Sequence, residues 1–313
     1  MNDTDSHSHP GPNIVARSKH NISRANISEN AIKVLYRLNK AGYQAFLVGG
    51  GVRDLLLDIH PKDFDVATDA RPEQIRALFR NCRLIGRRFR LAHVRFGREI
   101  IEVVTFRAAA NEDHKHREHA ESGRILRDNV YGTIEEDVWR RDFTINALYY
   151  NIADFTVWDY TGGMDDVSKR TLRLIGNPET RYREDPVRML RAARFSAKLN
   201  FDLATETAEP IRRLGKLLRD VPPARLFDET LKLFQSGHAL RSLEMLLAYD
   251  LFKYLFPHMG ELLVSENGSD VLEFLQAGMR NTDRRIEPDL PVTPMFLYAV
   301  LLWHPIRQRA ARI

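Results

Sequence analysis

FLVGGGVRDLLLDIHPKDFDV, residues 46–66, runs from an apolar stretch through three consecutive glycines and a short apolar helix-like run to a pair of carboxylates two positions apart. Glycines at a strand end before a helix leave the backbone bare, so Gly49 and Gly50 would let a polyphosphate approach N–H groups and the positive helix terminus. Arg53, one turn into the helix, could reach the same phosphates. On a strand, Asp63 and Asp65 point to the same face. Two carboxylates there repel each other unless a cation lies between them. Mg²⁺ suits such a place because it accepts few protein ligands and keeps positions for phosphate oxygens. The spacing matches neither GxxxxGK[ST] nor GxGxxG, so it supports neither of those nucleotide-binding folds. The plainer alternative is a glycine turn built for tight packing, with Arg53 and Asp54 pairing to neighbours; for Asp54 that alternative is preferred.

Working outward, SENAIKVLYRLNKA (28–41) reads as a helix capped by Ser28, with Ile32, Leu35 and Leu38 on one face and Gly42 at its end. QAFLV and DFDVAT read as strands around the helix GVRDLLL, and LAHVRF and IIEVVTF, separated by GRE, as a hairpin. Glu102 shares a face with Ile100 and Val104. An acid in an apolar stripe is costly unless it binds something, so Glu102 is the candidate third carboxylate, whereas Glu99, nearer the turn, is expected to be solvated. Residues 108–129 show no apolar rhythm and read as a long mobile loop whose His114, His116 and His119 are solvated. Thr133 and Glu136 fit a capping box for a helix running through WRRDFTINALYY. From Pro178 onward helices follow one another, and no internal repeat is visible. The expected organisation is a disordered tail at 1–25 containing His7 and His9, a catalytic head at 26–155, a helical neck at 156–240 and a helical body at 241–313.

The 313 residues suggest two or three domains, and 43% hydrophobic residues are enough for a real core. No apolar run approaches the roughly 18 residues of a membrane span, and the polar N-terminus lacks a signal-peptide core. A soluble, cytoplasmic protein without a membrane partner is expected. The single Cys82 excludes an internal disulfide framework and a multi-cysteine zinc site, and reads as a small buried residue. The formal net charge is +5, and the excess is clustered arginine: six arginines and no acid between Arg83 and Arg98. A second set comprises Arg173, Arg181, Arg183, Arg188, Arg191 and Arg194. Such clustering fits a polyphosphate or nucleic-acid partner, with a solvated basic face as the alternative.

LVGGGVRD, KDFDVAT, IIEVVTFR, RRDFTINAL and REDPVRMLRAARF, in this order, resemble the DNA polymerase beta type of nucleotidyltransferase, in the branch that holds class II CCA-adding enzymes and bacterial poly(A) polymerases. LIGRRFRLAHV is similar to a segment typical of the bacterial poly(A) polymerases. The resemblance implies an α/β head with a mixed sheet and helices, followed by an all-helical neck and body. It also implies two Mg²⁺ ions held by Asp63 and Asp65, Glu102 as third catalytic carboxylate, and Gly49, Gly50 and Arg53 on the triphosphate of ATP. Asp142 and Asn146, four apart on one helix face, would read the ribose, and Arg141 would contact phosphate. Arg87, Arg88 and Arg90 would grip RNA.

In REDPVRMLRAARF, Asp185 offers an acceptor and Arg188 a donor. Adenine and cytosine match that array; uracil and guanine carry the reverse. Asp185 has a competing role as N-cap if Pro186 takes the first helical position. Arg225 and Glu229, four apart, correspond to a structural brace in the family. The expected activity is addition of AMP from ATP to RNA 3′ ends. A CCA-adding enzyme is the near rival, and a noncatalytic RNA-binding protein on the same scaffold is the rival from another class. Intact Asp63, Asp65 and Glu102 speak against the latter. The chain ends at WHPIRQRAARI, where such polymerases usually continue into a further helical part and a basic tail, so a weaker RNA grip is expected.

Overall fold

The computed structural model describes residues 11–86, 90–108, 118–119, 125–127, 130–286 and 290–311. The expectations placed on His7, His9, Arg87, Arg88, His114 and His116 lie outside these residues. The chain divides into two units, Met1–Lys169 and Arg170–Ile313.

The first unit begins with β1 (Asn13–Val15), α1 (Glu29–Lys40), β2 (Ala45–Val48), α2 (Gly50–Leu56) and β3 (Asp65–Thr68). It continues through α3 (Pro72–Leu78), β4 (Cys82–Ile85), β5 (Leu91–Phe96), β6 (Glu99–Thr105), β7 (Glu118–His119) and β8 (Ile125–Arg127). It closes with α4 (Ile134–Arg140), β9 (Leu148–Asn151), β10 (Thr156–Asp159) and α5 (Gly163–Ser168). β7 and β8 pair only with each other; the other strands form one sheet in the order β1-β10-β9-β2-β3-β6-β5-β4. β3 and β6 run parallel and every other neighbouring pair in that sheet is antiparallel. The expected mixed sheet is therefore present.

Local chemistry explains the boundaries that position the site. At the start of α1 the Ser28 hydroxyl accepts from the N–H groups of Asn30 and Ala31. At its end Gly42 sits at φ +87°. There Tyr43 N donates to Leu38 O at 3.1 Å and Gly42 N to Asn39 O at 3.0 Å, the bond pattern of a Schellman stop. The buried face is Ala31, Val34, Leu35 and Leu38, with Val34 in place of the expected Ile32. β2 is buried along its whole length, as suits a central strand with partners on both sides.

Three expectations are corrected. Residues 13–15 are not tail but an edge strand whose backbone pairs with β10, and Ile22 and Ile27 behind it are buried. The head does not stop at 155: β10 continues the sheet between β9 and β1, so the unit extends to Lys169. The Thr133/Glu136 capping box forms as read, but its helix ends at Arg140. Asp142 takes the Phe143 N–H on its own carboxylate at 2.9 Å, a local bond that competes with helix continuation. A single 3₁₀ turn, Thr144–Asn146, follows, and then Leu148–Tyr150 enter the sheet. Two tyrosines favour a pleated, half-buried surface, and β9 has partners waiting on both sides.

The second unit carries α6 (Pro178–Glu184), α7 (Val187–Leu199), α8 (Thr205–Leu214), α9 (Pro223–Phe234) and α10 (Ala239–Ala248). α11 (Phe252–Leu255), α12 (Pro257–Leu263), α13 (Gly268–Ile286) and α14 (Pro294–Ala310) complete it. One short parallel pair, Thr171–Leu172 with Asp202–Leu203, interrupts the expected all-helical character. α10 packs on α7, α9 and α13, and α14 on α12 and α13. Leu190, Leu243, Leu246, Leu275 and Met279 are fully buried there, so helices on both sides of residue 240 share a core.

Candidate active site

Strand register assembles the acidic centre. Asp65 lies beside Glu102 across the parallel β3–β6 pair, Glu102 beside His93 across β5–β6, and Asp65 beside Val48 and Val48 beside Tyr149 on the other flank. One row, Tyr149–Val48–Asp65–Glu102–His93, thus crosses five strands, and registered neighbours share a sheet face. Asp63 stands just before β3. Burial alternates from exposed Asp63 through buried Phe64 to half-buried Asp65, as in an extended chain with both carboxylates on one side. The reason given for Glu102 is corrected: its neighbours Ile100 and Val104 are not core residues. Ile100 is 40% exposed, whereas Ile101 and Val103, on the opposite face, are buried. Glu102 costs little where it stands; register alone brings it beside Asp65.

Burial first, then the adjacent Glu102 carboxylate, pushes the Asp65 carboxyl up to about 6, Arg141 opposing and Asp63 adding to the rise. Unneutralised charge at this point is what a cation would relieve, which is how these residues fit a divalent metal. Among the described residues no group of three His, Cys, Asp or Glu side chains is arranged to hold an ion. The Glu102 carboxylate lies 3.5 Å from His93 Nε2. Two protein carboxylates, Asp63 and Asp65, suffice for Mg²⁺ when phosphate and water oxygens fill the remaining places.

The glycines meet this row at its rim. Gly49 caps α2 at φ +70°, ψ −138°, a region open to glycine and strained for any L side chain. A Cβ there would lie 3.7 Å from Arg141 Nη1 and 3.9 Å from Asp65 Oδ2, so the bare backbone faces the acid and the arginine together. Gly51 serves packing: its Cβ would meet Asp63 O at 3.4 Å, and so the third glycine lets α2 lie against the chain entering β3.

Arg53 and Arg141 are both held in place by protein groups. Arg53 is buried; its Nε and Nη2 donate to Asp54 Oδ1 at 2.9 and 2.6 Å, and its Nη1 donates to Asn146 Oδ1 at 2.6 Å. Asp54 thus has the structural role expected of it. Arg141 donates from Nε to the Tyr149 hydroxyl at 2.8 Å and from Nη2 to Asp137 Oδ2 at 3.1 Å, and Tyr149 donates to the same oxygen at 2.5 Å. Burial works against the Arg141 charge, but Tyr149 and Asp137 outweigh it and raise its pKa. Asn146 and Asp142 do not share a helix face, as shown above, and the amide oxygen of Asn146 is turned to Arg53.

Several contributors escaped the sequence reading. Asp137 resembles one more helix-start acid and Tyr149 one more core aromatic; only the fold joins them to Arg141. Glu99 is not solvated: Asn30 Nδ2 donates to it at 2.5 Å and the Ser28 hydroxyl donates to its other oxygen. Of the arginine cluster, Arg90 pairs with Glu73 at 2.6 Å. Arg83 and Arg95 are exposed, and β4–β5–β6 register places them on the sheet face of Glu102, at the β4 edge. Cys82 is half-buried rather than buried.

In the second unit Asp185 does cap α7, with Pro186 one place earlier than expected, in the N-cap position: Asp185 Oδ1 accepts from Val187 N at 3.3 Å. Its Oδ2 accepts from Arg225 Nη2 at 2.7 Å, so Arg225 ties α9 to the start of α7 through Asp185 and not through the Glu229 expected beside it. Arg188 donates from Nη1 to Arg181 O at 2.7 Å and to Glu184 Oε2 at 2.9 Å. Glu229 is buried, with Oε1 bonded to Lys232 Nζ at 2.8 Å.

Residues 45–173 match the family described as "Poly A polymerase head domain", and residues 200–263 that described as "Probable RNA and SrmB- binding site of polymerase A". Poly(A) polymerase I of Salmonella typhi is 58% identical over 308 residues, 97% of this chain; the chain spans 66% of that relative's length. The CCA-adding enzyme of Bacillus subtilis is 38% identical over 237 residues, 75% of this chain and 58% of the relative. Among solved structures, the Bacillus stearothermophilus CCA-adding enzyme in complex with CTP superposes with a TM-score of 0.64 at 30% identity, over 83% of this chain and 58% of the other.

Proposed function

Because the chain belongs to the nucleotidyltransferase family that holds the bacterial poly(A) polymerases and the class II CCA-adding enzymes, we propose that it adds AMP from ATP, without a template, to the 3′ ends of RNA in the cytoplasm. The observation that carries the reaction is the register of Asp65 with Glu102 beside a bare Gly49 and a fixed Arg141. The preference for AMP over CCA rests on 58% identity to a poly(A) polymerase against 38% to a CCA-adding enzyme.

Two Mg²⁺ ions, held by Asp63 and Asp65, would supply Lewis acidity that lowers the pKa of the RNA 3′-hydroxyl and offsets charge on the α-phosphate. This chain's own residues do the positioning. Backbone N–H groups at Gly49 and Gly50 and the guanidinium of Arg53 receive the triphosphate, and Arg141 takes a phosphate oxygen. Asp54, Asn146, Asp137 and Tyr149 hold those two arginines in place, so little reorganisation is needed when charge develops on pyrophosphate. Glu102 accepts the hydroxyl proton. Asp142 and Asn146 read the ribose, although neither does so from a helix face.

Asp185 and Arg188 select the base. A carboxylate has about four acceptor positions and a guanidinium five donors. The bonds from Val187 N and Arg225 occupy two of the former and those to Arg181 O and Glu184 two of the latter, so at least one of each is left for adenine. The test is competition among ATP, CTP, GTP and UTP on an unstructured RNA and on a tRNA lacking its end. Many adenylates on the unstructured RNA are expected, with GTP and UTP rejected by the wild type and accepted by the Asp185→Ala/Arg188→Ala variant. A three-nucleotide product that needs CTP and forms only on tRNA would transfer the proposal to CCA addition. Unchanged discrimination in the variant would return Asp185 to capping alone.

A further inference from the structure

Phe227, on α9, is 43% exposed, a large fraction for a phenylalanine beside the buried Thr230, Leu233 and Phe234 of the same helix. Its ring is stacked on Tyr298 of α14, centroids 5.4 Å apart and planes 13° apart. Tyr298 is held among apolar neighbours: Phe256 meets it edge-on at 6.4 Å, and Phe256 in turn packs on Phe252 at 5.3 Å. The pair borders an open cavity of about 450 Å³, lined also by Pro223, Ala224, Leu226 and Leu255. That volume lies within the range of ordinary small-ligand sites.

Cations lie on the elements that line the cavity or pack against them. Tyr254, next to the lining Leu255, has Arg219 over its ring at 5.3 Å and Lys253 at 5.2 Å. Gly215, at the start of the turn that carries Arg219, is pressed so close to Tyr254 that a Cβ would lie 2.8 Å from its ring. Arg225 stands two residues before Phe227 with its side chain half exposed, paired to Asp185. Lys253 pairs with Asp250, and Asp228 is an exposed acid on α9. A fixed aromatic face edged by arginine and lysine is what single strands use: each base stacks regardless of identity, and the cations follow the phosphates. Arg225 keeps Asp185 as its partner, but an apolar helix docking here would offer no acid to Arg219, which among the described residues makes no ion pair and lies over the Tyr254 ring.

We propose that the Phe227–Tyr298 pair is a stacking platform for bases of single-stranded RNA. The inference rests on the reading that this chain acts on RNA, and it adds the residues and the mode of contact. The platform binds the strand irrespective of sequence and holds it independently of the transfer site.

The test is binding of a labelled oligo(A) carrying 2-aminopurine to the whole chain, in EDTA and without ATP. Phe227→Leu, with an unchanged melting temperature, should bind about 5- to 100-fold more weakly and fail to quench 2-aminopurine. Its salt dependence should keep the wild-type slope, because no phosphate contact is removed. Phe227→Trp should bind and quench as the wild type does. Wild-type affinity and quenching in Phe227→Leu would overturn the platform and leave the face to a protein partner. So would a Phe227→Trp variant that binds as weakly as the leucine variant. Since neither metal nor nucleotide is present, failure of the proposed transfer reaction alone would leave this binding intact.

Discussion

Arg141 shows how much of the site is carried by side chains whose part is to hold another side chain in place. Its guanidinium lies beside Gly49, held by the Tyr149 hydroxyl, the Asp137 carboxylate and the Asn146 carbonyl, and Tyr149 and Asp137 are buried. Removing the hydroxyl in Tyr149→Phe leaves a buried guanidinium and carboxylate each short of one partner, at a cost of about 1–3 kcal/mol. Thermal denaturation should show the loss, and initial rates should show KM for ATP rising more than kcat falls, if Arg141 receives the triphosphate as proposed. Wild-type KM in the phenylalanine variant would remove Tyr149 from the positioning role. Asp63, Asp65, Gly49 and Arg53 were legible in the sequence because their spacing along the chain is the signal. Asp137 and Tyr149 were not: their meaning lies in a contact twelve residues apart across a helix end and a strand. Glu102 was identified on a burial argument that its exposure contradicts.

β6 separates architecture from chemistry by alternation. Glu99 and Glu102 lie on opposite faces of one strand, the first tied to Ser28 and Asn30 at the start of α1, the second beside Asp65. Glu99→Gln should lower the melting temperature, the loss of hydrogen bonds to a charged group amounting to about 1–3 kcal/mol, while turnover per folded molecule stays at the wild-type level. Glu102→Gln should do the reverse, leaving the melting point in place and lowering kcat by at least about 100-fold, the lower range for a proton-transfer group. Comparing melting curves and single-turnover rates of the two variants checks both halves; equal turnover losses would contradict the face assignment. Elements with local signals, such as the Ser28 cap, the Gly42 stop and the β5–β6 hairpin, could be read from sequence. The helix expected through residue 148 could not be terminated correctly. The local Asp142 bond opposes its continuation, and the pairing of Leu148–Tyr150 with β2 and β10 is a requirement of the sheet that the segment does not disclose.

Across the whole molecule the sheet unit carries Asp63, Asp65 and Glu102, and the helical unit carries Asp185, Arg188 and the Phe227–Tyr298 pair. Among the described residues no helix is long and apolar enough to cross a membrane. Of the arginine cluster, exposed Arg83 and Arg95 share the sheet face of Glu102, where RNA phosphates would be met under the proposed reaction. Extension by the wild type should therefore shorten as salt rises from 50 to 200 mM, and removing both arginines should reduce the slope of log affinity against log salt by roughly 0.7 per lost contact. Titration of labelled RNA at several salt concentrations checks this; an unchanged slope would show that these two arginines do not touch phosphate. The order of motifs disclosed the family and the head, whereas the extent of the head, and its capture of residues 13–15 as an edge strand, depended on pairings far apart in the chain. The account stands most directly on one gel. A labelled, unstructured RNA is incubated with ATP and Mg²⁺ and either wild type or Asp65→Asn, the two proteins matched in melting temperature. A long ladder of adenylates from the wild type and unextended RNA from the variant is the predicted result. Equal ladders from both, or no extension by the wild type, would contradict the assignment of the Asp65–Glu102 row as the transferase site.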